Sequence, residues 1–204
     1  RVFTNKNDIT AYITKKNILT KGSLQFKKYD SINSFNQKIQ KNEVLINGTP
    51  KLKKKINGSV LSLLSGGASR ENFTHWFTDV LPRIFLFQQK FDLKKIDKLL
   101  VPSLRFNYQK ESLKSLGISK DSVISSEKIQ HIEANKIYAT SHPCHFYPSK
   151  VKKWSLNFLR SKFIKKSNKF KNYKKIFIYR DQAKLLNNSN FQKYRSFRII
   201  INEE

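Results

Sequence analysis

Methionine is missing from all 204 residues, position 1 included, and cysteine occurs once, as Cys144. A lone thiol closes no disulfide within the chain and builds no cysteine-rich metal site, so nothing here calls for an oxidising compartment. No stretch approaches the roughly 18 apolar residues of a membrane span, and RVFTNKNDIT at the start is not a signal peptide. The expectation is a soluble, cytoplasmic chain. Glycine (6) and proline (5) are scarce, which gives weight to each Asn-Gly and each proline as punctuation. The missing initiator, and an end that falls directly after the apolar run Ile199, Ile200, Ile201, lead us to expect a fragment.

Acidic residues are also few, 14 against 41 Lys+Arg, for a formal charge of +27. Such a charge steers phosphates and anionic surfaces whatever its origin. Its spread along the chain as Lys-Lys pairs, among abundant Asn, Ile, Phe and Ser, is equally what an AT-rich coding sequence produces. The apolar fraction is low, but 16 Phe, 8 Tyr and 2 Trp are enough to build a core in a chain of this length. Asn47, Asn57, Asn72 and Asn187 fit the N-x-S/T pattern, which in an Asn-rich chain without a secretion signal is expected by chance.

Up to about residue 50 the pattern predicts short strands, at Ile9–Thr14, Leu24–Phe26 and Glu43–Ile46, with turns at Asn47-Gly48 and Asn57-Gly58. A strand at Ser59–Leu64 and the pair Gly66-Gly67 then lead into a helix with Ser69 as its cap. Beyond it, strands at Ile96–Val101, Ser122–Ser125 and Lys136–Thr140 alternate with a helix at Arg105–Leu116, stopped by Gly117. That alternation predicts βαβ units and a mostly parallel sheet. A further helix runs from Pro148 to about Phe163, burying Val151, Trp154, Phe158 and Leu159. A basic connector and an apolar strand, Ile176–Arg180, follow it.

The stretch that gathers chemistry is GGASRENFTHWFTDVLPRIFLF, 66–87. At 100° per residue Phe73, Trp76, Phe77, Val80, Leu81, Ile84 and Phe85 form one buried face. Asn72, His75, Asp79 and Arg83 stand in one column beside it, and Pro82 predicts a kink or a fresh helix start. Spacings of three and four allow Asp79 to orient the His75 imidazole while Arg83 holds Asp79 from the other side. The column reads either as the solvated side of an amphipathic helix or as a general base with its supports. No His, Asp or Glu cluster has metal-ligand spacing. His142 and His145 flank Cys144, but Pro143 between them predicts a loop rather than a ligand set.

N-F-T-H-W-F-T-D-V-L-P-R at 72–83, L-L-V-P-S at 99–103, L-x-x-L-G-I at 113–118, K-K-I-F-I-Y-R at 174–180 and R-I-I-I-N-E-E at 198–204 resemble, in that order, glycosyltransferase family 61. That family shows N-x-x-H-W-x-x-D-x-L-P-R, V-P-S, L-G-I, I-S-R and R-x-x-x-N-E segments. Tyr179 stands where the family has serine, and the interval from Arg180 to the next matching arginine is longer than usual. Arg195 and Arg198 both compete for that second arginine, and the distance to Asn202 favours Arg198.

The resemblance implies an α/β enzyme of the GT-B type. Its acceptor-side domain would be a Rossmann-like parallel sheet with a β-rich N-terminal segment, and a truncated second α/β domain would bind a nucleotide sugar. The division it implies is 1–58 for the β-rich segment, 59–165 for the acceptor-side domain, 166–175 for a linker and 176–204 for the opening of the second domain. It further implies inverting transfer to a glycan or lipid-linked saccharide in cell-surface polysaccharide synthesis. From the residues, the lack of metal-ligand spacing leads us to expect no metal cofactor, and the basic, AT-rich composition allows peripheral contact with the inner face of an anionic membrane. His75 or Asp79 would be the base, Asn72 and Arg83 would orient it, and Arg180, Arg198, Asn202 and Glu203 would bind the donor diphosphate. The fragment alone is expected to be inactive. The residues by themselves also allow a nucleic-acid or anionic-membrane binding module on the tract Phe163 to Arg180, or a catalytically inactive relative. No specific nucleic acid is expected.

Overall fold

Strand β4, Lys54–Ser62, and the two residues after it bury both of their faces: Leu61 and Leu63 on one, Val60 and Leu64 on the other. A strand covered on both sides belongs in the middle of a sheet, and that is where the computed structural model has it. The structure describes residues 1–4, 10–14, 17–19, 48–64, 70–143 and 151–164. The expected strands at 24–26, 43–46 and 176–180, the Gly66-Gly67 turn, Ser69, Cys144, His145 and the linker at 166–175 lie outside the described residues, as do Arg180, Arg195, Arg198, Asn202 and Glu203.

On one side of β4 lie β5 (Lys98–Val101) and then β6 (Val123–Ser125); on its other side lies β7 (His131–Ala139), all four strands parallel. The N-terminal segment does not stand apart from this sheet but extends it: β1 (Val2–Thr4) pairs antiparallel with β7, β2 (Thr10–Thr14) with β1, and β3 (Asn17–Ile18) with β2. The order is β3-β2-β1-β7-β4-β5-β6. The βαβ alternation foretells the parallel part, and the antiparallel part makes the sheet mixed.

Asn57-Gly58 is not the turn that its sequence suggests. It sits inside β4, where the register with β7 slips between Ile56 and Ser59 as a bulge, with Gly58 at φ 139°. The Asp97 carboxylate locks the bulge by accepting from Ser59 N at 2.7 Å and from Ser59 Oγ at 2.8 Å.

Three helices cover one face. The first, α1, spans residues 73–88 in three parts: an α turn at Phe73–His75, a π turn at Trp76–Val80 and an α segment at Pro82–Gln88. Pro82, which has no N–H to give, takes the first position of the last part, and Leu81 N reaches five residues back to Trp76 O at 3.1 Å. The helix start expected at Pro82 is thus present, preceded by a π turn that the periodicity did not foretell. α2 is Asn107–Ser115 and α3 is Lys153–Phe163. Trp76, Val80, Leu81, Ile84 and Phe87 of α1 pack with Leu113 and Phe158 over Leu61, Leu63, Leu99 and Val101. Phe73, expected on this buried face, is exposed, and Phe77 and Phe85 are half-buried. α2 ends in a Schellman motif, Ile118 N to Leu113 O at 3.0 Å and Gly117 N to Lys114 O at 2.9 Å, with Gly117 at φ 76°. Among the described residues no helix is long and apolar enough to cross a membrane.

The bulge makes a stability prediction. A Cβ on Gly58 would meet Asp97 Oδ2 at 2.5 Å, so Gly58→Ala is expected to lower the melting temperature. The bonds from Ser59 hold the Asp97 carboxyl below its usual 3.8. Its stabilisation is therefore complete above about pH 4 and is lost as the pH falls further, through the lowered folded value. Melting of wild type and Asp97→Asn between pH 7 and pH 3 should show a gap that closes toward the acid end.

Candidate active site at the carboxyl edge of the sheet

The chain leaves β4 toward β5 and β6 and then returns to β7 on the opposite side, so strand order reverses between β4 and β7. Open α/β sheets bind their ligands at such a switch point, beyond the carboxyl ends of the strands. Here those ends carry Ser62 on β4 and, after Ala139 on β7, Thr140, Ser141 and His142.

Helix α1 brings its polar column to this edge. Asn72 is its N-cap: Oδ1 accepts from Thr74 N at 2.9 Å and from His75 N at 3.3 Å. Asn72 therefore sits just outside the helix and fixes the backbone of His75. Three residues into α1, His75 Nδ1 lies 2.7 Å from Asp79 Oδ2. The other carboxylate oxygen, Oδ1, accepts from Thr78 Oγ1 at 2.8 Å. Bonded to the carboxylate, Nδ1 carries the ring proton in the neutral tautomer and leaves Nε2 with a free lone pair. The His75 side chain is 46% exposed, that of Asp79 12%. The imidazole faces the solvent side of the pair and the carboxylate its protein side.

Arg83 does not hold the Asp79 carboxylate. Its Nε donates to the Asp79 backbone carbonyl at 3.1 Å, and Nη1 donates to Thr140 O at 3.0 Å and to Thr140 Oγ1 at 3.3 Å. At 1% exposure it is among the largest fully buried side chains described, and Nη2 has no hydrogen-bond partner. Burial lowers its pKa from the ordinary value, opposed by Tyr12 and Asp79; a guanidinium stays charged regardless. The phenol of Tyr12 donates to Ser62 Oγ at 2.8 Å, and burial raises its pKa.

Two expected members of the site, His75 and Asp79, are thus in direct contact, and the structure gathers further residues that sequence reasoning missed. His142, set aside as a loop residue, has Nε2 4.0 Å from Asp79 Oδ2, so two histidines flank one carboxylate. Its position just past a strand end was the available signal. Thr140, Ser62 and Tyr12 carried no signal, because strands distant in sequence bring them in. Among the described residues no group of three or more His, Cys, Asp or Glu is placed to hold a metal ion.

Two substitutions separate scaffold from chemistry. Arg83→Lys keeps the charge but cannot span both carbonyls, and is expected to cost about 2 kcal/mol in urea unfolding. His75→Ala, at a half-exposed side chain, should change stability by less than about 0.5 kcal/mol.

No curated protein and no solved structure gives a significant match to the chain. The sequence model of Glycosyltransferase 61 matches residues 73–204, well over half of the chain, starting with the first residue of the helix that carries His75, Asp79 and Arg83. The chain belongs to glycosyltransferase family 61.

Proposed function

We propose that the chain carries the acceptor side of an inverting, nucleotide-sugar-dependent glycosyltransferase of the GT-B type, and that His75 is its general base. The observation that carries this reading is the 2.7 Å contact between His75 Nδ1 and Asp79 Oδ2 beside the switch point. Of the two candidates for the base, His75 is favoured because it is the more exposed, while Asp79 has one oxygen on His75 and the other on Thr78. In the proposed step His75 Nε2 takes the proton of an acceptor hydroxyl as its oxygen attacks the anomeric carbon. The bond from that carbon to the donor diphosphate breaks, and the diphosphate leaves with the electron pair. Asp79 stabilises the imidazolium that forms.

Charge on the departing diphosphate is assigned to Arg180 and Arg198, with Asn202 and Glu203, in a nucleotide-sugar domain beginning near residue 176. The acceptor is proposed to be a glycan or lipid-linked saccharide of cell-surface polysaccharide synthesis. The setting is cytoplasmic, with the +27 charge supporting peripheral contact with an anionic membrane.

The test uses the protein expressed from the complete gene, sugar nucleotides and saccharide acceptors. His75→Ala and Asp79→Ala should each lower kcat about 10²- to 10⁴-fold, His75→Ala with the melting profile retained, and turnover should survive EDTA. Wild-type turnover in the double variant would rule out the site.

A further inference from the structure

Phe73 is a large apolar side chain left 57% exposed at the start of the helix that carries His75. It is not an isolated ring. It packs on Phe77 with centroids 4.6 Å apart and meets Tyr108 edge-on at 5.1 Å and 63°, and Phe106 lies parallel to Tyr108 at 5.6 Å and 9°.

The rings are framed by polar bonds that hold them in place. Tyr108 donates its phenol proton to Glu71 O at 3.2 Å. Arg105 forks between Glu71 Oε1 at 2.7 Å and Glu127 Oε1 at 2.9 Å, and Glu127 Oε2 accepts from Ser103 Oγ at 2.9 Å. Gln109, fully buried, donates to Arg70 O at 2.8 Å. These residues come from the segments that follow β4, β5 and β6, so the aromatic group stands on the same carboxyl edge as His75 and Asp79.

The chemistry of this surface is that of a sugar. A pyranose presents C–H groups on one face, which lie well on an aromatic ring, and hydroxyls around its rim, which bond to carboxylates and guanidinium groups. Glu71 and Arg105 supply both at the rim, with side chains 65% and 56% exposed. A protein partner would have to strip water from that ion pair, whereas a sugar exchanges the water for hydroxyls. Phe73 opens the helix that carries His75 but points about 200° round its axis from it, so a ring held here belongs to a sugar of a longer acceptor, removed from the one being glycosylated.

We infer that Phe73, Phe106 and Tyr108 form an acceptor subsite that holds a pyranose ring of a longer acceptor away from the reacting sugar. The identity of the ligand as acceptor rests on the transferase reading; the binding itself does not.

The experiment is saturation-transfer NMR on the protein from the complete gene, with methyl glycosides of glucose, galactose, mannose and xylose as probes. Saturation should reach the ring C–H protons of at least one glycoside, disappear in Phe73→Ala and persist in Phe73→Tyr. The melting temperature of Phe73→Ala should stay within about 2 °C of wild type, as expected for an exposed side chain. No saturation of any of the four sugars, or equal saturation in wild type and Phe73→Ala, overturns the inference. So does a large fall in melting temperature or a loss of self-association in Phe73→Ala, since either means that protein covers the ring. Binding retained in a protein that transfers no sugar would refute the transferase reading alone. Active transfer whose acceptor KM is untouched by Phe73→Ala would refute the subsite alone.

Discussion

One guanidinium crosses the carboxyl edge of the sheet and ties its two sides together. Arg83, on the helix that follows β4, donates to the carbonyl of Asp79 on its own helix and to the carbonyl of Thr140 where the chain leaves β7. The place where strand order reverses would otherwise be a gap between a helix and a loop with no covalent link near it. Bridging it brings His142 to the same carboxylate oxygen that His75 uses. Taking a charge out of water costs several kcal/mol even after relaxation. This one is offset by three backbone and hydroxyl acceptors and by the charge of Asp79 nearby.

The geometry of α1 follows from a backbone constraint of a different kind. Pro82 cannot donate to a carbonyl in the preceding turn, and the chain responds with a π turn before it and a new α segment from it. Asp79 and Arg83 consequently lie on two helical segments of different pitch rather than as i and i+4 of one unbroken helix. The guanidinium meets the Asp79 carbonyl and leaves the carboxylate to the histidines and Thr78. Asn72 at one end and Pro82 near the middle thus determine which way the His75–Asp79 pair faces, and Trp76, bonded through Nε1 to Ser112 Oγ at 2.9 Å, anchors the stretch between them to α2.

What could be read from the sequence was local. The apolar runs of Val60 to Leu64 and Leu99 to Val101, the Gly117 stop, the Pro82 restart and the four-residue spacing of His75 and Asp79 all depend on neighbours along the chain, and all are found in the structure. The misread features depend on distant partners. Asn57-Gly58 has the composition of a turn and becomes a bulge because Asp97, just before β5, satisfies Ser59. The Asn72 side chain is spent on the cap, so the helix begins one residue later than the column assumed. Phe73 fits the apolar stripe by angle but falls in the first turn, where Phe77 and Tyr108 touch it and still leave it more than half exposed. β1, β2 and β3 add to β7 across more than a hundred residues of intervening chain, and no local pattern specifies that pairing.

The central claim is that Asp79 holds His75 in the tautomer that keeps Nε2 free to accept a proton. The most direct measurement is the ¹⁵N spectrum of the His75 ring, with its long-range couplings to the ring C–H protons, at a pH where the ring is neutral. The account predicts a protonated Nδ1, with its proton shifted downfield by the carboxylate, and an unprotonated Nε2. A ring protonated at Nε2, or one averaging freely between the two tautomers, would contradict it.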